Sequence, residues 1–125
     1  MVDLLHVAGR VTDPDRFEEA VWRRETTIST GVGFGVAIPH ARSRDVRVTS
    51  VAVLGCEPPL DWDSADGEPV RIAILIAVAE DAPDDAHLRL IASLSRRLMN
   101  DDFRESLLVA TDEAAVVDRI REAAS

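Results

Sequence analysis

Ten residues, Val70 to Ala79, constrain this fold more than any other stretch. They read V-R-I-A-I-L-I-A-V-A, with Arg71 as the single interruption of an apolar run. A strand with one wet face alternates apolar and polar side chains, whereas a strand covered on both faces is apolar throughout. The run is also far short of the roughly 18 to 20 residues that a membrane helix needs. It therefore predicts a central strand, and with it a sheet that carries helices on both faces. A chain of 125 residues that is 46% hydrophobic supports one such core, so a single domain is expected.

The remaining elements follow from local signals. Leu4, Leu5 and Val7 form a short apolar patch, read as the tail of an element. Asp13-Pro14 is a helix start, with Asp13 as N-cap and Pro14 in the first turn, and Phe17, Ala20, Val21 and Arg24 follow at helical spacing to about Glu25. Thr26 to Gly35 reads as a loop leading into a strand over Val36 to Ile38, and Arg42 to Asp45 as a charged connection. Val48 to Leu54 is rich in β-branched residues and reads as a strand. Glu57 to Asp63 reads as an extended loop, and Asp66-Gly67 as a turn. Pro83 marks the first turn of a helix to about Met99, with Asp84 and Asp85 suiting its positive end and His87, Ile91, Leu94 and Leu98 on one face. A shorter helix over Asp101 to Ala110 precedes a last one, N-capped by Thr111, with Val116, Val117 and Ile120 turned inward.

The stretch that carries chemistry is Ser29 to Ala41, S-T-G-V-G-F-G-V-A-I-P-H-A. Three glycines on alternate positions lead to Pro39 and His40. Glycine permits left-handed backbone and close approach, and proline fixes φ, so one imidazole is delivered in a preset direction. A dinucleotide fingerprint would need another glycine where Val36 stands, followed by a helix; here a strand follows, and no Walker sequence is present. The three histidines, His6, His40 and His87, lack helical zinc spacing, and the lone Cys56 has no partner for an internal disulfide and no activating cation beside it. His6 and Cys56 are read as structural.

Imidazole is a competent nucleophile near neutral pH. Phosphoryl transfer to it requires an in-line donor and groups that stabilise the equatorial oxygens. The glycine loop with Ser29 and Thr30, Arg23 or Arg24 at the end of the preceding helix, and the positive end of the helix near Pro83 supply such groups. His87, in the first turns of that helix, is placed to donate to phosphate or to His40.

These residues carry a resemblance. Arg24-Glu25, Ser29-Thr30-Gly31-Val32-Gly33, Gly35-Val36-Ala37-Ile38-Pro39-His40-Ala41, Asp66-Gly67 and His87-Leu88 resemble the enzyme IIA component of the bacterial phosphotransferase system, of the mannitol/fructose and nitrogen-regulatory type. The resemblance covers about residues 4 to 122. It implies an α/β sandwich: a central mixed β-sheet flanked by helices on both faces. It implies that His40 accepts phosphate from the phosphocarrier HPr and passes it to an enzyme IIB domain. His87 would orient or stabilise the phosphorylated histidine, Arg24 would line the same pocket, and Ser29, Thr30, Gly31 and Gly33 would bind phosphate. No metal and no organic cofactor are implied.

Two departures accompany the resemblance. Such proteins usually begin with a further strand and most of a helix ahead of Leu4, so a shortened single domain is expected, whose uncovered edge a second copy could cover. Phe34 stands where a small polar residue, commonly asparagine, is usual. The net charge of -9, from 14 Lys plus Arg against 23 Asp plus Glu, disfavours nucleic acid and anionic membranes and suits a basic protein partner. With no membrane segment or leader pattern, a cytoplasmic protein is expected.

Overall fold

The computed structural model describes residues 2–27, 31–62, 64, 66–83, 85–109 and 112–123, and the side chains of these except 2–4, 26, 27, 32, 57, 86 and 87. The chain forms two compact units, Met1–Ala82 and Pro83–Ser125.

The first unit is built around β5, Val70–Ala79, which spans the ten residues of the apolar run. All of its side chains except Arg71 are buried, so residues of both parities lie out of water. Burying each Val, Leu or Ile contributes about 1.5 to 3 kcal/mol, which makes this strand the main source of stability in the unit. On one side β5 pairs antiparallel with β4, Ser50–Leu60. On the other it pairs parallel first with β2, Val36–Ala37, and then with β3, His40–Ser43. A short strand β1, Gly31–Gly33, adds antiparallel to β2. The sheet is mixed, as expected.

Two helices accompany it. Helix α1 is Val2–Val7 and α2 is Pro14–Thr27. The Asp13 carboxylate accepts the Arg16 N–H at 3.2 Å, the N-cap that the Asp-Pro pair foretells. Phe17, wholly buried, packs in one cluster with Leu5, Val11, Ala41, Val46, Leu75, Ala77 and Ala79, which joins both helices to one face of the sheet. Asp45 is the one buried charged residue among those described, and it locks the end of β3. Its carbonyl accepts the Thr12 N–H at 2.8 Å, and its carboxylate lies 3.5 Å from Arg16 Nε.

In the second unit, α3 is Ala86–Leu98, α4 is Asp101–Val109 and α5 is Glu113–Ala123. Leu94, Leu98, Phe103, Leu107, Ile120 and Ala123 are buried. The Asn100 side-chain oxygen accepts the Phe103 N–H at 2.9 Å and starts α4.

Four sequence expectations are corrected. The glycine run is not a plain loop: Gly31–Gly33 forms a strand, and Gly33 through Val36 closes a hairpin. The charged connection after Ala41 begins as strand β3, because parallel pairing to β5 satisfies its backbone whatever the side chains are. Strand β4 continues through Pro58 and Pro59, where a loop is expected; prolines are tolerated because β5 is its only partner among the described strands. Helix α3 starts at Ala86 rather than near Pro83, with Asp85 as N-cap and its carboxylate paired to Arg89 instead of capping the backbone. Asp84 and Thr111 lie outside the described residues; at α5 the Asp112 carboxylate accepts the Ala114 N–H at 3.0 Å.

Candidate functional site

The site is made by an interruption. Strands β2 and β3 run in one direction along the same side of β5, facing Ile72-Ala73 and then Ile76 to Ala79. Between them Ile38 and Pro39 leave the ladder geometry. Pro39 has no N–H to give, and its carbonyl accepts the Ile76 N–H at 2.9 Å. Val36, Ala37, Ile38 and Pro39 are all buried, so the chain immediately before His40 is a packed seat.

His40 itself is half-buried. Its Nδ1 lies 2.8 Å from the Ile38 carbonyl oxygen. A carbonyl only accepts, so Nδ1 carries the proton and the neutral ring keeps its lone pair on Nε2. A two-residue step back along the backbone thus fixes both the tautomer and the ring plane. That is the arrangement a nitrogen nucleophile requires, because no rearrangement of protons precedes attack.

The glycine hairpin upstream is held by the turn that the sequence marks at Asp66-Gly67. Asp66 Oδ2 accepts the Phe34 N–H at 2.9 Å, and Oδ1 accepts the Glu68 N–H at 3.0 Å. These two backbone donors, Phe34's first, lower the Asp66 pKa below its ordinary value. A carboxyl depressed in the folded state contributes stability above its unfolded pKa of about 3.9, and that contribution is lost as pH falls through the folded value. Thermal unfolding followed from pH 6 to pH 3 is therefore expected to show an acid loss of stability that Asp66→Asn diminishes.

Phe34 and Gly35 are the two central residues of the hairpin, with φ of 58° and 76°, and Gly33 before them is at 96°. Two consecutive left-handed residues define the tight turn whose preferred sequence is Asn-Gly. Phenylalanine is poorly suited to the first place, since a Cβ in this region costs about 1 to 2 kcal/mol, and its ring is 58% exposed, so little burial offsets the strain. Phe34→Asn is expected to raise stability by about 1 kcal/mol, read as a higher denaturation midpoint in urea at unchanged slope. Gly31 faces a different limit: a Cβ there would lie 2.5 Å from Ser64 Oγ and 2.9 Å from Ser64 Cα, so only glycine fits.

Of the two arginine candidates, Arg23 lies on the exposed side of α2, 3.2 Å from Glu19. Arg24 is half-buried in the last turn. Glu25 accepts the indole N–H of Trp62 at 3.1 Å, a contact that sequence reasoning missed; the signal available was a tryptophan inside an otherwise polar turn. Ser29 and Thr30 lie outside the described residues. His87 is the second residue of α3, in the second unit, and its side chain lies outside the described set. His6, read as structural, donates from Nδ1 to the Val11 carbonyl at 3.0 Å. Cys56 is half-buried, and burial pushes its thiol pKa up, away from a reactive thiolate. Among the described residues no three His, Cys, Asp or Glu side chains gather to hold a metal ion, and no helix is long and apolar enough to cross a membrane.

Residues 1–123 match the family described as "Phosphoenolpyruvate-dependent sugar phosphotransferase system, EIIA 2". A fructose-specific EIIA component from Haloferax volcanii is 38% identical over 122 residues, covering 98% of this chain and 79% of that protein. A multiphosphoryl transfer protein from Shigella flexneri is 39% identical over 113 residues, 90% of this chain. The chain spans only 13% of that relative and of several similar ones. Among solved structures, the nitrogen regulatory protein IIA-Ntr from Neisseria meningitidis superposes with a TM-score of 0.74 at 32% identity, covering 86% of this chain and 70% of that one. The mannitol enzyme IIA of Escherichia coli, solved in complex with phosphorylated enzyme IIB, superposes at 0.78 with 22% identity, over 97% of this chain and 82% of that one. That last likeness speaks for the fold: α/β, with a mixed sheet and flanking helices.

Proposed function

The chain belongs to the EIIA type 2 family of the phosphoenolpyruvate-dependent sugar phosphotransferase system, and from that premise we propose that it is a phosphoryl carrier working through His40. The observation that carries the reading is the Nδ1 to Ile38 carbonyl bond, which puts the ring's proton on Nδ1 and its lone pair on Nε2, the nucleophile in this reading. In the proposed step the Nε2 lone pair attacks the phosphorus of a phosphohistidine on the donor protein. A new N–P bond forms as the donor's N–P bond breaks, and the donor imidazole leaves with that electron pair. Both proteins must exclude water during the handover, since a phosphohistidine open to solvent hydrolyses.

The donor in this reading is HPr and the acceptor an enzyme IIB domain; the mannitol IIA relative solved with phosphorylated enzyme IIB supports the second. Arg24 neutralises charge on the phosphoryl group, with Ser29, Thr30, Gly31 and Gly33 donating to its oxygens and His87 steadying the phosphorylated ring. The handover takes place in the cytoplasm, within one EIIA domain. The test is incubation with labelled phosphoenolpyruvate, enzyme I and HPr. The expected product is one acid-labile label per chain, on His40 Nε2 by phosphorus–nitrogen NMR coupling. Label on another residue, or none, overturns the proposal.

The 32% identity to a nitrogen regulatory protein favours one second reading, a signalling module that controls partner proteins through the phosphorylation state of His40. Labelled chain that passes no phosphate to any enzyme IIB domain supports this alternative.

A further inference from the structure

Trp62 lies in the turn between β4 and β5, and it touches two parts of the site at once. Its ring packs against the buried cluster of Ala37, Val70 and Ala73. Ala37 is the last residue of β2, three positions before His40 and paired with Ala73. Its indole N–H donates to Glu25 Oε2 at 3.1 Å. Glu25 follows Arg24 in the last turn of α2. One side chain therefore spans from the strand that delivers the nucleophile to the turn that carries the arginine.

Several points make this more than packing. The indole N–H is a donor only, and a half-buried one takes a partner when it can. Its partner is a carboxylate, and hydrogen bonds to ionised acceptors are roughly twice as strong as neutral ones. The last turn of a helix lacks onward backbone bonds, so an external tether there has most effect on position. Residues one apart on a helix point in different directions, so Glu25 held by Trp62 sets the turn without competing for the surface that Arg24 occupies.

We propose that Trp62 and Glu25 are positioning residues for phosphoryl transfer: the indole to carboxylate bond holds Arg24 at a set distance from His40. The inference rests on the carrier reading given above. In this proposal both residues act through Arg24 rather than on the reacting atoms. Their contribution is geometric, and a displacement of about 1 Å at a charge-neutralising group can slow a transfer by up to about a hundredfold.

The test compares Trp62→Phe, Glu25→Ala, Glu25→Gln and the Trp62→Phe/Glu25→Ala double variant, each checked for cooperative unfolding. The rate at which label from phospho-HPr reaches His40 is measured across HPr concentrations. Trp62→Phe keeps a ring for packing but loses the donor, and is expected to lower the limiting rate by about tenfold or more with KM changed less than about threefold. Glu25→Ala is expected to do the same. Glu25→Gln keeps an acceptor oxygen and is expected to stay within about twofold of wild type, while the double variant is no slower than the slower single one. Wild-type rates in Trp62→Phe, equal losses in Glu25→Gln and Glu25→Ala, or losses that multiply in the double variant overturn the inference.

In the same samples the Arg24 Nε–H resonance is expected to move in Trp62→Phe and Glu25→Ala but not in Glu25→Gln. This arm separates the two proposals. A wild-type chain that takes no label overturns the carrier reading, whereas an unmoved Arg24 resonance overturns the positioning role whether or not label is taken.

Discussion

Replacing His40 with glutamine is expected to remove acid-labile phosphate from the chain while leaving the fold intact. His40 is the group to which the proposed step assigns the N–P bond, with His87 only steadying the ring, so loss is expected to be complete rather than graded; deleting a covalent nucleophile elsewhere removes as much as about a millionfold of the rate. The structural cost is small. His40 is half-buried, and its hydrogen bond to the Ile38 carbonyl lies within its own segment and contributes about 0.5 to 1.5 kcal/mol. Labelling with phosphoenolpyruvate, enzyme I and HPr, run beside thermal unfolding of the same sample, reads both quantities. Residual label at the wild-type level would place the nucleophile elsewhere. Retained transfer to enzyme IIB would contradict the carrier role of this residue.

The largest effect on stability is expected from Phe17→Ala, at about 3 to 5 kcal/mol. Phe17 is wholly buried where α2 meets the sheet, against Leu5 of α1, Val11 and Val46 of the connecting chain, and Ala41, Leu75, Ala77 and Ala79 of the strands. The neighbours on the sheet side are mostly alanines. They approach the ring because they are small, and they cannot lengthen to fill the space it leaves, so a cavity remains. Chemical denaturation should show a midpoint shifted far down in urea. A loss below about 1 kcal/mol would mean that α2 settles onto the sheet after truncation. Because α2 also carries Arg24 and Glu25, such settling would show in the phosphoryl-transfer rate as well.

The two experiments probe different links of one chain of causes. Packing at Phe17 holds α2 on the sheet, the Trp62 contact holds its last turn, and the break at Pro39 aims the imidazole. The Asp66 clamp and the strained Phe34 act on the hairpin between them. Relief of strain by Phe34→Asn and loss of the clamp in acid therefore change the hairpin while His40 keeps its own hydrogen bond.

Much of this was legible beforehand, and for identifiable reasons. The apolar run Val70 to Ala79 specified the central strand because a strand covered on both faces is apolar at positions of both parities, here interrupted only at Arg71. Asp13-Pro14 specified the start of α2 because capping and fixed φ are local properties. The spacing from Arg24 through the glycines to His40 and on to His87 specified the family, and the family match over residues 1–123 agrees. What lay beyond the sequence was decided by pairing and contact. Glycines and charged residues carry no strand propensity, so β1 and β3 exist only because β2 and β5 offer them partners. The proton on Nδ1 of His40 is set by a carbonyl that only the folded backbone brings within 2.8 Å. Likewise Trp62 and Glu25 stand 37 positions apart, and only the tertiary fold could reveal that they meet. Residue types and short spacings determined the chemistry available to this protein; the fold decided that Trp62 meets Glu25 and that Nδ1 of His40 faces the Ile38 carbonyl.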